Sequence, residues 1–264
     1  MAIFFRFLCQ NICQFFNGFF RIYCAAWIIW RVNDNFITFA PYFPEYKCFV
    51  ESVGSELKVV PANIDTFQIN FEKFEEMIDE HTKGIIINSP NNPSGAVYSE
   101  ETIKKLADIL KKKSEEYGHP IFIISDEPYR EVVYEGAEVP YVTKYYANTL
   151  VCYSYSKSFS LAGERIGYIV VPNEVAEFAS IYAAVAGAAR VLTHVNAPSL
   201  FQKVVARCAG KPSDISIYEK NRELLYHCLV QAADHMLSLF HRKPCHLLPD
   251  ILGINKMPPV VSHR

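Results

Sequence analysis

Three segments place groups capable of chemistry directly after short apolar runs. Asn88-Ser89-Pro90-Asn91-Asn92-Pro93-Ser94-Gly95 follows Ile87, and Ser125-Asp126-Glu127-Pro128-Tyr129-Arg130 follows Ile124. The third runs from Ser154 to Arg165, with Lys157 near its start, and follows Tyr153. Each alone reads as ordinary turn or capping chemistry. Together they are chemically coherent. A lysine amine in surroundings that favour its neutral form can build a Schiff base with a carbonyl. An aspartate at a neighbouring strand end can hold a pyridine nitrogen protonated, which turns the ring into an electron sink. Hydroxyls beside an arginine suit a phosphate, which the guanidinium grips through forked, charge-assisted hydrogen bonds. One asparagine and one tyrosine remain for a ring hydroxyl. Lys157, Asp126, Ser154 and Arg165 in these places describe a pyridoxal phosphate pocket.

The elements that must position these groups are legible around them. Gly84 to Asn88 is an apolar run ending in turn residues and predicts a buried strand. Ser99 can cap a following helix, with Glu100 and Glu101 at its positive end. Ile103, Leu106, Ala107 and Leu110 then share one face, and Gly118 with Pro120 ends the helix. Ile121 to Ile124, Thr149 to Tyr153 and Ile166 to Val171 predict three further strands. Strands joined by helical crossovers predict an α/β fold, a mostly parallel sheet with helices on both faces. In such sheets a ligand lies beyond the carboxyl ends of the strands, where the three segments fall.

A fourth segment, Ala40-Pro41-Tyr42-Phe43-Pro44-Glu45-Tyr46, precedes the other three. With all four in this order, the chain resembles the class I/II aminotransferases over about residues 36–226. These form the aspartate aminotransferase superfamily of fold type I pyridoxal phosphate enzymes. The resemblance implies transfer of an amino group between an amino acid and a 2-oxo acid. It makes Lys157 the catalytic residue, linked to the cofactor and moving the proton between the substrate Cα and the cofactor C4′. It pairs Asp126 with the pyridinium nitrogen and gives Tyr129 and Asn92 the 3-hydroxyl oxygen. Ser154 and Arg165 become phosphate ligands, and Phe43 stacks on the ring. The role of Ser156 stays open, and the same motifs also suit a lyase of this fold. A homodimer sharing its sites across the interface is the assembly that the resemblance implies.

Composition narrows the partners. The chain has 264 residues, half of them hydrophobic, and a formal charge of −2, which favour a packed core and give no basic footprint for nucleic acid or an anionic membrane. Eight scattered cysteines without a C-x-x-C pair suit a reducing compartment, so a cytoplasmic protein is expected. The first thirty residues are rich in Phe, but Arg6, Gln10, Asn11, Gln14, Asn17 and Arg21 interrupt them too often for a membrane span. The expected organisation is a divergent segment over 1–35, a cofactor-binding large domain over 36–226 and a divergent tail over 227–264, with the small domain incomplete. Order is expected to fade from Leu229 onward, and His235, His241, Cys245 and His246 match no metal-ligand spacing. Gly18 is the only glycine before the aromatic segment, so no phosphate-binding glycine turn is found. Neither Arg242 nor Arg264 stands where an arginine would grip a substrate carboxylate. These differences at both ends predict a truncated or frame-shifted frame, with a cofactor-binding remnant as the alternative to an active transaminase.

Overall fold

The computed structural model describes residues 12–15, 33–134, 136–191 and 196–239. The readings of the Phe-rich head, of the region around Gly18 and of the His/Cys tail past Leu239 otherwise lie outside the described residues. The strands are β1 (Ile12–Phe15), β2 (Asn35–Phe39), β3 (Glu56–Val60), β4 (Thr82–Asn88), β5 (Phe122–Asp126), β6 (Thr149–Ser154) and β7 (Gly167–Val170). The helices are α1 (Glu45–Glu51), α2 (Phe71–Met77), α3 (Glu100–Tyr117), α4 (Tyr155–Ser158), α5 (Phe178–Val191), α6 (Ser199–Cys208) and α7 (Ser216–Leu239).

One seven-stranded sheet runs in the order β1-β7-β6-β5-β4-β2-β3. β3, β2, β4, β5 and β6 are mutually parallel, whereas β7 pairs antiparallel with β6 and β1 antiparallel with β7. The predicted α/β class therefore holds, with an antiparallel edge. Alternation along the strands divides the core between two faces. Ile86 packs with Tyr46, Phe49 and Val50 of α1 and Ile181, Val185 and Ala189 of α5. Its neighbours Ile85 and Ile87 point the other way, toward Phe74 of α2 and Ile103, Leu106 and Leu110 of α3.

Local chemistry explains the best-formed crossover. Ser99 Oγ accepts from the Thr102 N–H and opens α3, and Gly118, in the left-handed region at φ 69°, closes it. At the amino ends of the strands, far from the predicted site, Asp79 accepts from Lys58 Nζ (2.5 Å) and Asn35 Nδ2 (2.9 Å).

Two compact units divide the chain, one of 1–133 with 137–211 and the other of 134–136 with 212–264. The second contains α7, whose Arg222 guanidinium lies 4.5 Å over the Tyr134 ring. Loss of order from Leu229 was expected, but the helix continues to Leu239. Leu224, Leu225 and Leu229 lie along this helix, and all three are exposed. Among the described residues, no helix is long and apolar enough to cross a membrane.

Candidate active site

Register brings the strand ends together. Asn88 of β4 pairs with Asp126 of β5, which in turn pairs with Cys152 of β6, two residues before Ser154. The chain winds outward from β2 to β3 and then reverses to β4 on the other side of β2. The carboxyl ends at such a reversal leave a crevice. Asn88 stitches this region: its Nδ2 donates to the Asp126 carbonyl (2.8 Å) and its Oδ1 accepts from the Asn92 N–H (2.6 Å). Asn91 joins the aromatic segment, donating from Nδ2 to the Pro41 carbonyl (3.2 Å). Gly95 supplies the positive φ of 72° that lets the Asn-Pro turn close back on Asn91.

Asp126 is buried, and the Tyr46 hydroxyl donates to its Oδ2 at 2.7 Å. Tyr46 comes from α1, is itself only 1% exposed, and is braced edge-on by Phe43 at 5.6 Å between ring centroids. Burial first, and then the Asp126 charge, push the Tyr46 hydroxyl well above its usual range, so it stays a donor. Tyr129, three residues past Asp126, is also pushed up by burial and by the Asp126 charge, against a hydrogen bond with the Asn92 side chain. The Lys157 amine lies 5.7 Å from the centre of the Tyr129 ring. Asp126, Tyr129, Asn92 and Lys157 thus form one connected group, and Phe43 reaches it through Tyr46.

The remaining predicted residues sit on the turn that carries Lys157. Ser154 is buried at the end of β6 and caps α4, its Oγ accepting from the Ser156 N–H and lying 2.7 Å from Ser156 Oγ. Ser154 pairs with Gly167, and the Tyr155 N–H donates to the Ile166 carbonyl, so the chain at Arg165 runs beside this turn. Arg165 itself is exposed, has a φ of 55°, and donates from one terminal nitrogen to the Ala162 carbonyl (2.5 Å).

Two features escaped the sequence reading. In the sequence Tyr46 stands out only as part of the aromatic segment, because nothing there links it to a carboxylate 80 residues away. Buried Glu127 and half-buried Arg130 form an ion pair (2.6 Å) whose guanidinium also donates to the Val139 and Pro140 carbonyls and lies 4.0 Å over the Tyr141 ring. The i, i+3 spacing of opposite charges was the available signal. This clamp secures the segment that bears Tyr129.

Comparison with known proteins identifies the family. The sequence model described as "Aminotransferase class I and II" matches residues 10–237. An aspartate aminotransferase of Sulfurisphaera tokodaii is 30% identical over 216 residues, covering 78% of this chain and 50% of that protein. An aspartate/prephenate aminotransferase of Thermus thermophilus is 33% identical over 146 residues, covering 54% of this chain and 36% of that one. A solved amino transferase structure from Eubacterium rectale superposes with a TM-score of 0.80 at 58% identity, covering 84% of this chain and 56% of that one. The chain thus spans between about a third and just over half of the length of these relatives. The match over most of the sequence and the superposition on a solved relative agree: the chain belongs to the class I and II aminotransferase family.

Proposed function

We propose that this chain carries the cofactor site of a pyridoxal phosphate-dependent aminotransferase acting between an amino acid and a 2-oxo acid. The observation that carries the reading is the connected group of buried Asp126, Tyr129, Asn92 and Lys157 beyond the strand ends. Its donors and acceptors fit the cofactor: a buried anion for a ring nitrogen, two neutral polar groups for a ring hydroxyl and an amine for the aldehyde carbon. When bound, pyridoxal phosphate supplies an electron sink for the bond being broken at the substrate Cα.

Asp126, oriented by Tyr46, would hold the proton on the ring nitrogen. Tyr129 and Asn92 would contact the 3-hydroxyl oxygen and so orient the ring. Phe43 covers one ring face, which excludes water. Ser154 and Arg165 hold the phosphate, and Arg165 turns from the Ala162 carbonyl to do so. Lys157 would anchor the cofactor through Nζ and, once the incoming substrate amine has displaced it, its freed amine would be the group able to move a proton between the substrate Cα and C4′. Residues 36–226 serve as the cofactor-binding domain between an N-terminal segment and a C-terminal tail, and the working assembly is a homodimer.

An amino-transfer assay tests this reading. Purified chain with added pyridoxal phosphate is offered a panel of amino acids and one 2-oxo acid, beside Lys157→Ala and Asp126→Ala controls. Lysine- and aspartate-dependent formation of the new amino acid is expected. A folded protein with no transfer from any donor, or with transfer unchanged in Lys157→Ala, overturns the proposal.

A further inference from the structure

Lys157 lies on a four-residue helix, too short to hold its own geometry. Ser154 fastens its amino end. At its other end, Ser158 Oγ lies 2.8 Å from the hydroxyl of Tyr153, a residue of β6. That hydroxyl donates to Glu131 Oε2 at 2.7 Å, and Glu131 belongs to the segment that carries Tyr129. A tyrosine has a single proton, which goes to the carboxylate, so the Ser158 hydroxyl supplies the other bond. The Tyr153 ring is fixed by stacking on Tyr168 at 4.9 Å and by an edge contact with Tyr155 at 5.1 Å. One buried hydroxyl therefore joins the lysine-bearing turn to the tyrosine-bearing segment.

We propose that Tyr153 is a positioning residue that, through Glu131 and Ser158, sets Lys157 against Tyr129. The inference rests on the reading of Lys157 as the cofactor-anchoring amine. Neither Tyr153 nor Glu131 touches the reacting atoms in this arrangement. Their contribution is to keep the amine from swinging as the proton moves between substrate and cofactor.

Tyr153→Phe keeps the ring and its stacking partners while removing the bridge. The full chain is compared with this variant, and with Ser158→Ala, by two readouts that need no cofactor. In the first, the rate at which acetic anhydride acylates Lys157 is measured by mass spectrometry against exposed Lys112 as an internal reference. In the second, amide hydrogen exchange is followed over 128–133 and 155–159, with 122–126 as a core control. The expected result is a changed Lys157 labelling rate and exchange about tenfold faster in both segments, with the core control unmoved, as for loss of a hydrogen bond to a charged group. Ser158→Ala should loosen 155–159 alone. Unchanged labelling overturns the proposal, and so does faster exchange spread evenly through the sheet, which marks a merely structural tyrosine. A third readout, the absorbance of added pyridoxal phosphate, should shift in Tyr153→Phe if wild type binds it. If wild type shows no cofactor band, the proposed function fails, while labelling and exchange still decide the role of Tyr153.

Discussion

Replacing Tyr46 by Phe removes one oxygen from the centre of the site and leaves its packing intact. The Phe43 edge contact at 5.6 Å and the Tyr42 stack at 6.4 Å depend on the ring, so the apolar contribution is conserved. What is lost is the 2.7 Å bond to Asp126 Oδ2, in a place where both partners are buried. A hydrogen bond to a charged group contributes about 1.5–3 kcal/mol, and a carboxylate deprived of its donor keeps its desolvation penalty. With a urea slope of about 2 kcal/mol per molar, the unfolding midpoint at pH 7 should fall by about 1 M. Urea titration followed by far-UV circular dichroism, with Tyr42→Phe as a control, reads this directly. A loss below about 0.5 kcal/mol would refute the reasoning, because Asp126 would then not depend on Tyr46 for its solvation.

Two pH effects follow from the same physics. Tyr46, Tyr98 and Tyr153 are buried and pushed well above 10 chiefly by burial, and Tyr155 is pushed up to about 12. The folded chain keeps protons that the unfolded chain releases above pH ~10, so stability should fall as pH rises. The slope approaches ~5 kcal/mol per pH unit for these four groups. Urea midpoints from pH 8 to 11.5 test this, Tyr98→Phe should lessen the slope by about a quarter, and a flat profile contradicts it. At the other extreme, burial raises the Asp79 carboxyl, but the hydrogen bonds from Lys58 and Asn35 outweigh it and hold the group at about 2. That stabilisation is present above pH ~4 and is lost as pH falls toward 2, and because the side chain is 37% exposed it is discounted to about 1 kcal/mol. Lys58→Met should therefore be less stable than wild type by about that amount at pH 6 and equal to it near pH 2, and a constant difference would count against the pairing.

What the sequence revealed and what it hid have physical causes. Apolar runs ending in turn residues marked β4, β5 and β6, and the Ser99 and Gly118 signals marked both ends of α3, because these are local preferences. Strand direction is not local. Ile166 to Val171 reads alike parallel or antiparallel, so the reversed edge at β7 came only from the structure. The continuation of α7 to Leu239 came only from the structure, although Leu225 and Leu229 stand at the i, i+4 spacing of one helical face. In the site, residue types with rare chemistry, such as Lys157 and Asp126, stood out. Tyr46, Tyr153 and Glu131 did not, since each acts through a partner distant in sequence or indistinguishable from packing.

The central claim is that Lys157 anchors pyridoxal phosphate at this strand-end cluster. It is tested most directly by the absorbance spectrum of the purified chain titrated with the cofactor. Borohydride reduction and peptide mass mapping then locate any linkage, with Lys157→Ala alongside. The account predicts a saturable band absent from Lys157→Ala and a reduced cofactor adduct on the peptide containing Lys157. A folded protein that shows no such band, or an adduct on other lysines while Lys157 stays unmodified, would contradict it.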